Sequence, residues 1–409
     1  MTQNLVAEPV RVEKSALRII VLFAAILMSG GSLIVPRIPL LAIVLIGSFI
    51  NRKGAPLYDR RMVLAWFWLA IVTTITLLRP DGSDIASTAT RLANFAAAVS
   101  LVRMYLLQPD GTLARDLGLI LPWVCWLAIL TVPFQFFFGS LAVPIDINDT
   151  PYETFFFLFT WHVLIETSSI FIRPDGIFYE PGVLQIYLNL FLFISLFVTR
   201  NWRNVALSTV GVFATQSTTG VVICAIQFAA LAGPALTSGN LAQRSGKALG
   251  LLIVLVPIAM LTYDNVVDKF SGDNRGSTIA RQYDLLTAVN IIVQYPLAGI
   301  GFDHERFSAL NSQLGSADTE LREESALDRR SSNGLLVAIY SVGIPLGLIY
   351  LLAMLRNPFL KPAWLLGTIL LLSLSSEALP FTPFFAMFAL GGMMVPARRA
   401  RPSLKAVIV

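Results

Sequence analysis

Apolar runs of membrane-crossing length recur from one end of this chain to the other, and no other feature constrains its fold so tightly. Each run is about 15 to 22 residues long and closes on a short polar turn, close to the roughly 20 helical residues that cross about 30 Å of hydrocarbon. Inside lipid every backbone N–H and C=O must find a partner within the protein, so such runs fold as helices or as a closed barrel. No ten-residue stretch alternates apolar with polar residues, which excludes the barrel. The fold class is therefore all-α, a polytopic bundle, and 56% hydrophobic against 13% charged residues in a chain of 409 rules out a soluble domain.

The runs predict helices over 17–35, 38–50, 62–78, 88–107, 117–138, 182–198, 204–216, 218–233, 247–263, 333–355, 363–376 and 380–396, about twelve spans in a range of 10–14. They form a single membrane domain, 1–409. The first run carries no small-residue cleavage site and is followed at once by another, so it reads as a retained helix rather than a signal peptide. Cys125 and Cys224 fall inside spans and read as small packing residues, with no disulfide and no metal implied.

Alternating sides from a cytoplasmic N-terminus puts Arg52, Lys53, Arg60, Arg61, Arg103, Arg115, Arg200, Arg203, Arg244, Lys247, Arg356, Lys361 and the arginines of 398–401 on the inside. That is the positive-inside pattern, and it places the C-terminus in the cytoplasm as well. The net charge of +5 is accordingly an orientation signal towards the lipid bilayer rather than a sign of nucleic acid. Two long loops, about 139–181 and 265–332, then share the outer face, each expected to hold short amphipathic helices. In a bacterium that face of the inner membrane is periplasmic.

Basic residues on the outer side are few, and an orientation rule would have removed them. Arg91 lies about one turn inside the fourth span, where a guanidinium has to be paired, wetted or snorkelled to the interface. Arg79 precedes that span. Arg173-Pro174-Asp175-Gly176-Ile177-Phe178-Tyr179-Glu180-Pro181-Gly182 runs straight into the sixth span, its Pro-Asp-Gly being ordinary turn chemistry. Arg173 suits either a salt bridge to Asp175 or Glu180 or the bidentate grip of a phosphate.

In the second loop Ser277 opens a helix whose Ile279, Tyr283, Leu286, Val289 or Ile292, and Val293 recur at helical spacing, giving a greasy face against bundle or bilayer. Arg281 stands in its first turn, against the helix dipole, with Asp284 as an i, i+3 partner or with an external anion. Pro296 ends the helix, and Gly299 and Gly301 permit left-handed turns and close backbone approach to a ligand. Tyr152, Trp161, Tyr179 and Tyr283 are either ordinary aromatics of the membrane interface or faces on which a ring such as a sugar could stack.

These blocks together resemble the bacterial O-antigen polymerase and O-antigen ligase superfamily of polytopic membrane enzymes. The match runs in order through the Arg173 to Gly182 turn, Ser217-Thr218-Thr219-Gly220, the Arg281 helix ending in Pro296-Leu297-Ala298-Gly299-Ile300-Gly301, and Ser332-Asn333 followed by Gly343 and Gly347. It covers about 60–395 and is strongest over 170–350. The resemblance implies a glycosyltransferase with no metal and no cofactor, acting on an undecaprenyl-diphosphate-linked oligosaccharide at the outer face, for O-antigen or exopolysaccharide. It implies that Arg173 and Arg281 grip the diphosphate, with Arg91 and Arg79 in support, and that Gly299, Gly301, Tyr179 and Asn333 line the substrate. A chain-length co-polymerase is a further implied partner.

Ligases place a histidine directly before the asparagine at the start of the span after the long loop, whereas Ser332 precedes Asn333 here. That departure favours a polymerase, with a ligase acting on lipid A-core as the alternative. Glu180 and His304 are both open as the base for the acceptor hydroxyl. A flippase or transporter of lipid-linked sugars is the reading from another class, disfavoured because no internal repeat appears and the charges sit in outer loops.

Overall fold

A computed structural model describes residues 16–32, 35–53, 55–78, 85–147, 150–162, 173–237, 275–302, 306–310 and 331–394. The protein is mostly helical, with 73% helix and 5% strand. The helices are α1 (Ala16–Gly30), α2 (Arg37–Asn51), α3 (Val63–Leu77, entered through a 3-10 turn Arg60–Met62), α4 (Ile85–Leu106), α5 (Thr112–Phe138), α6 (Pro181–Phe193, continued by a π-turn Ile194–Val198), α7 (Trp202–Ala214) and α8 (Thr218–Thr237). After them come α9 (Arg275–Gln294), α10 (Gly334–Val342), α11 (Ile344–Met354), α12 (Ala363–Leu374) and α13 (Pro383–Gly392).

Every predicted apolar run is helical except 247–263, which lies outside the described residues. Among the described residues four helical segments are long and apolar enough to cross a membrane: Arg60–Leu77, Ile85–Leu106, Thr112–Leu141 and Pro181–Val198. Seven further apolar helices are 10–17 residues long. Large apolar side chains such as Phe67, Trp123, Phe136 and Trp364 point outwards, each more than 60% exposed. A surface of that kind is stable against lipid and not against water.

At the centre runs α6, apolar on all sides and buried along almost its whole length. Its Asn189 is hydrogen-bonded both within the helix and to a neighbouring one. Asn189 Nδ2 donates to Gln185 Oε1 at 3.0 Å and to the Gly220 carbonyl of α8 at 3.1 Å, while Gln227 Nε2 donates to Asn189 Oδ1 at 3.0 Å. Amide contacts of this kind hold helices together where water is absent.

Two expectations need correction, and a third is narrowed. The loop over 139–181 contains strand as well as helix. β1 (Val143–Ile147), β2 (Thr150–Phe155) and β3 (Phe159–His162) form an antiparallel meander in the order β1-β2-β3. On β2, Tyr152 and Thr154 face inwards at alternate positions, and Thr154 and Thr160 hydroxyls meet at 2.9 Å. The sheet rests on the end of α5, where Phe134 stacks on Phe159 with ring centres 4.4 Å apart. Alternation over strands of only four to six residues is too short to stand out in the sequence from loop or short helix.

Second, the predicted span 333–355 is broken at Gly343, whose φ of +85° and extended ψ end α10 and start α11. A side chain there would collide with the carbonyl of Leu297, so the break is built for a backbone crossing. Third, α9 buries Asp284, Thr287, Ala288 and Ile291, whereas Leu285, Leu286, Val289 and Val293 are exposed. Leu286, Val289 and Val293 of the greasy stripe therefore turn away from the bundle, which leaves the bilayer side of the two that the spacing allowed, while Asp284, Thr287, Ala288 and Ile291 face inwards.

Candidate functional site

The sheet delivers the chain to α6 through a fixed turn. Pro174 bridges to Trp161, and the N–H groups of Asp175 and Gly176 both donate to the Thr160 carbonyl, at 2.8 and 3.2 Å. Gly176, at φ +62°, turns the chain back so that Phe178 N–H reaches the Asp175 carbonyl at 3.2 Å. Phe178 stacks on Tyr187 of α6 with ring centres 4.8 Å apart, and the rings of Phe178 and Tyr179 fill the space that side chains at Gly30 and Gly31 would occupy. Arg173 and Glu180 are thus held at the two ends of a segment clamped between the sheet, α1 and α6.

Arg173 is half-buried and its Nε donates to the Thr215 carbonyl at the end of α7, 3.2 Å away. Crowding by the surrounding protein lowers its pKa, opposed by Asp175, Glu180 and Glu377 and reinforced by Arg281. A guanidinium remains charged through such a shift. Arg281, on the exposed side of α9, acts electrostatically on both Arg173 and Glu377. The two arginines that the resemblance singles out therefore converge, and they converge on a carboxyl that sequence reasoning did not select.

That carboxyl is Glu377, 6% exposed, in the turn between α12 and α13. Its side chain lies against the first turn of α6, where a Cβ at Gly182 would strike Oε1, and its carbonyl lies against Gly334 at the start of α10. Burial first, then the charge and a hydrogen bond of Glu180, raise its pKa well above the usual carboxylate range, with Arg281 and Arg173 pulling the other way. The neutral acid is the form this position favours. One signal in the sequence would have found it, because Glu377 is the only acidic residue after Asp328 and it stands between two apolar runs.

The other predicted residues fall into separate places. Tyr179 stands beside the cluster, its carbonyl accepting from the buried Tyr152 hydroxyl at 3.0 Å. Tyr152 and Trp161, 4% and 1% exposed, pack the sheet and present no open ring face. Arg91 lies within electrostatic reach of Tyr340 and Tyr350, on the α10 to α11 side of the same end. Arg79 and His304 lie outside the described residues.

Gly299 and Gly301 have φ of +61° and +82°, and their neighbourhood is filled by protein. Ile300 N–H donates to the Tyr340 carbonyl at 2.7 Å, Gly301 N–H to that of Ser341 at 2.8 Å, and Ile344 N–H to that of Pro296 at 2.7 Å. These bonds satisfy backbone groups freed by the break at Gly343, which is a packing role that needs glycine. Asn333 caps α10, its Oδ1 accepting from Leu335 and Leu336 N–H at 3.0 and 3.2 Å. Ser332 is tied through N–H and hydroxyl to Asp284 at 3.0 and 2.9 Å, so Asp284 serves Ser332 of the α10 entry.

Chemically, then, this end of the bundle offers two guanidiniums to an anion and two hydrogen-bonded carboxyls to a proton. Among the described residues no group of three or more His, Cys, Asp or Glu could hold a metal ion. A cleft of about 280 Å³ beside Arg200, Trp202 and Val205 lies at the other end of α6 and has no part in the cluster. The chain matches no known family model, and no curated protein matches it.

Proposed function

We propose that this protein is a membrane glycosyltransferase of surface-polysaccharide assembly, a polymerase joining undecaprenyl-diphosphate-linked repeats at the outer face of a bundle of about twelve spans in a bacterial inner membrane. One observation carries the reading: Arg173 and Arg281, from separate segments, are gathered at one end of the bundle with Glu377 favouring its neutral form. Two guanidiniums from separate segments in one neighbourhood suit an anion with several oxygens, such as a diphosphate, which each can grip. As the glycosyl bond to the diphosphate breaks, negative charge grows on the leaving oxygen, and fixed guanidiniums stabilise that charge more than the ground state.

The acceptor distinguishes polymerase from ligase. A polymerase uses the non-reducing sugar of a second lipid-linked repeat. The engagement of Ser332 by Asp284 gives the position before Asn333 a structural task, which favours the polymerase. The test is to replace Arg173 and Arg281 singly with Ala and with Lys in a strain lacking the gene, confirm membrane levels, and size the surface glycan on a gel. Long chains collapse to single repeats in both Ala variants if the reading holds, and Lys restores them only in part because it lacks the bidentate fork. Unchanged glycan length at normal protein level rejects it.

A further inference from the structure

Glu377 and Glu180 are far apart in the chain and come from different elements, yet Glu377 Oε1 lies against Gly182, two residues beyond Glu180, and the two carboxyls act on each other by charge and hydrogen bonding at the start of α6. The contact is built in, since Gly182 leaves the room that Glu377 occupies and Gly334 lets the α12 to α13 turn approach. Tyr350 anchors that turn, its hydroxyl donating to the Pro380 carbonyl at 2.5 Å. The charged groups acting on Glu377 are Glu180 from the entry to α6, Arg173 from the turn before it, and Arg281 from α9. Asp175 acts on Arg173, and Asp284, also on α9, is occupied by Ser332. Two acids in hydrogen-bond contact hold a single proton more readily than none or two, because a second ionisation sets like charges side by side.

We infer that Glu180 and Glu377 form a proton-sharing pair in which Glu180 accepts the proton of the acceptor hydroxyl while Glu377 holds the shared proton and positions it. The inference rests on the glycosyl transfer proposed above. In the step, the acceptor oxygen forms a bond to the anomeric carbon of the donor sugar, and the bond from that carbon to the diphosphate oxygen breaks. The bonding electrons leave with the undecaprenyl diphosphate between Arg173 and Arg281. The hydroxyl proton passes to the Glu180 carboxylate and is then lost to water at the outer face. Glu377 is a positioning residue, since it acts through Glu180. Its ionisation would place a second negative charge beside both Glu180 and the donor diphosphate, so activity falls when that proton is lost.

The test uses the full chain in two measurements. Purified protein in nanodiscs is titrated with undecaprenyl diphosphate, and glycan extension on the cells' own lipid-linked repeats is followed in whole cells held at external pH 6 to 9. Expected in extension is a wild-type rate that declines at high pH, a Glu377→Gln rate that is lowered at neutral pH and has lost the decline, and a Glu180→Gln rate lowered at least ~100-fold throughout. Undecaprenyl diphosphate binding stays within a few-fold of wild type in both Gln variants. A Glu377→Gln profile that superposes on wild type, or one inactive at every pH with normal membrane level, overturns the pair. Glu377→Asp keeps an ionisable group at a shorter reach, and it shifts the high-pH decline if the pair is real and leaves it in place if not; this variant decides the matter should the Gln protein fail to accumulate. Binding that is indifferent to both Arg173→Ala and Arg281→Ala instead rejects the glycosyltransferase reading, so the two failures are told apart.

Discussion

At the end of α1 that carries Arg18, Arg18 and Arg103 are hydrogen-bonded to carboxylates, whereas at the end that carries Gly30 Arg173, Arg281, Glu180 and Glu377 act on one another electrostatically. Arg18 reaches Asp116 through Nε at 2.5 Å and Nη2 at 3.1 Å, and Tyr105 donates to the same carboxylate at 3.3 Å. Nearby, Arg103 Nη1 meets Asp59 Oδ2 at 2.8 Å while its Nε donates to the Pro56 carbonyl at 3.0 Å. These groups are saturated by each other and have nothing to offer a ligand. Among Arg173, Arg281, Glu180 and Glu377 both signs mix, and Arg173 donates to the Thr215 carbonyl rather than to a carboxylate. The two charge clusters thus differ in how directly their members are tied to each other.

Four substitutions sharpen or break that contrast, the largest effect first. Asp116→Ala strands Arg18 in the interior and is expected to cost about 3–5 kcal/mol, read as lower membrane abundance and a lower Tm in detergent. Unchanged stability would remove the structural role of that end. Arg281→Ala is expected to do the reverse. Its activity falls by about 10²- to 10³-fold while stability moves by no more than about 0.5 kcal/mol, because the side chain is exposed and the proposed function gives it the substrate as its partner. A comparable loss of stability would make it a structural residue like Arg18.

Gly299→Ala is expected to cost about 1–3 kcal/mol from its positive φ and its contact with the Tyr340 carbonyl. Activity lost at full stability would return the glycine to substrate binding. The smallest effect concerns pH. Glu377 binds its proton more tightly folded than unfolded, so its contribution is fully present below the ordinary carboxylate value near 4.5 and is lost as pH rises towards the raised value. Stability of the wild type relative to Glu377→Gln should therefore fall across that window, at up to about 1.4 kcal/mol per pH unit. Parallel melting curves for the two proteins from pH 5 to 8 would show that Glu377 ionises normally.

Much of the bundle was legible because its signals are local. Hydrophobic runs mark helices wherever the solvent is lipid, Pro296 marks the end of α9 near Gln294, and Asn333 marks the start of α10 through its own side chain. The arginines of the site were legible for a related reason, since a basic residue on the outer face stands out against the orientation pattern. Local signals misled where two explanations shared one pattern. The apolar spacing on α9 describes a face without saying whether bundle or bilayer lies beyond it, and two glycines in a turn look the same whether they approach a ligand or another stretch of backbone.

Glu377 shows the boundary most sharply. Its position in the chain marks it as an unusual acid, but its partner is set by the meeting of the α12 to α13 turn with the entry to α6, through Gly182 and Gly334. By itself the sequence determined that this protein is helical and apolar, where most of its helices lie, and which arginines break the charge pattern, because propensity, capping and hydropathy act over a few residues. Only the tertiary structure decided that Arg173, Glu180, Arg281 and Glu377 share one neighbourhood. Burial and charge coupling depend on distances between segments, and those distances exist only once the bundle has packed.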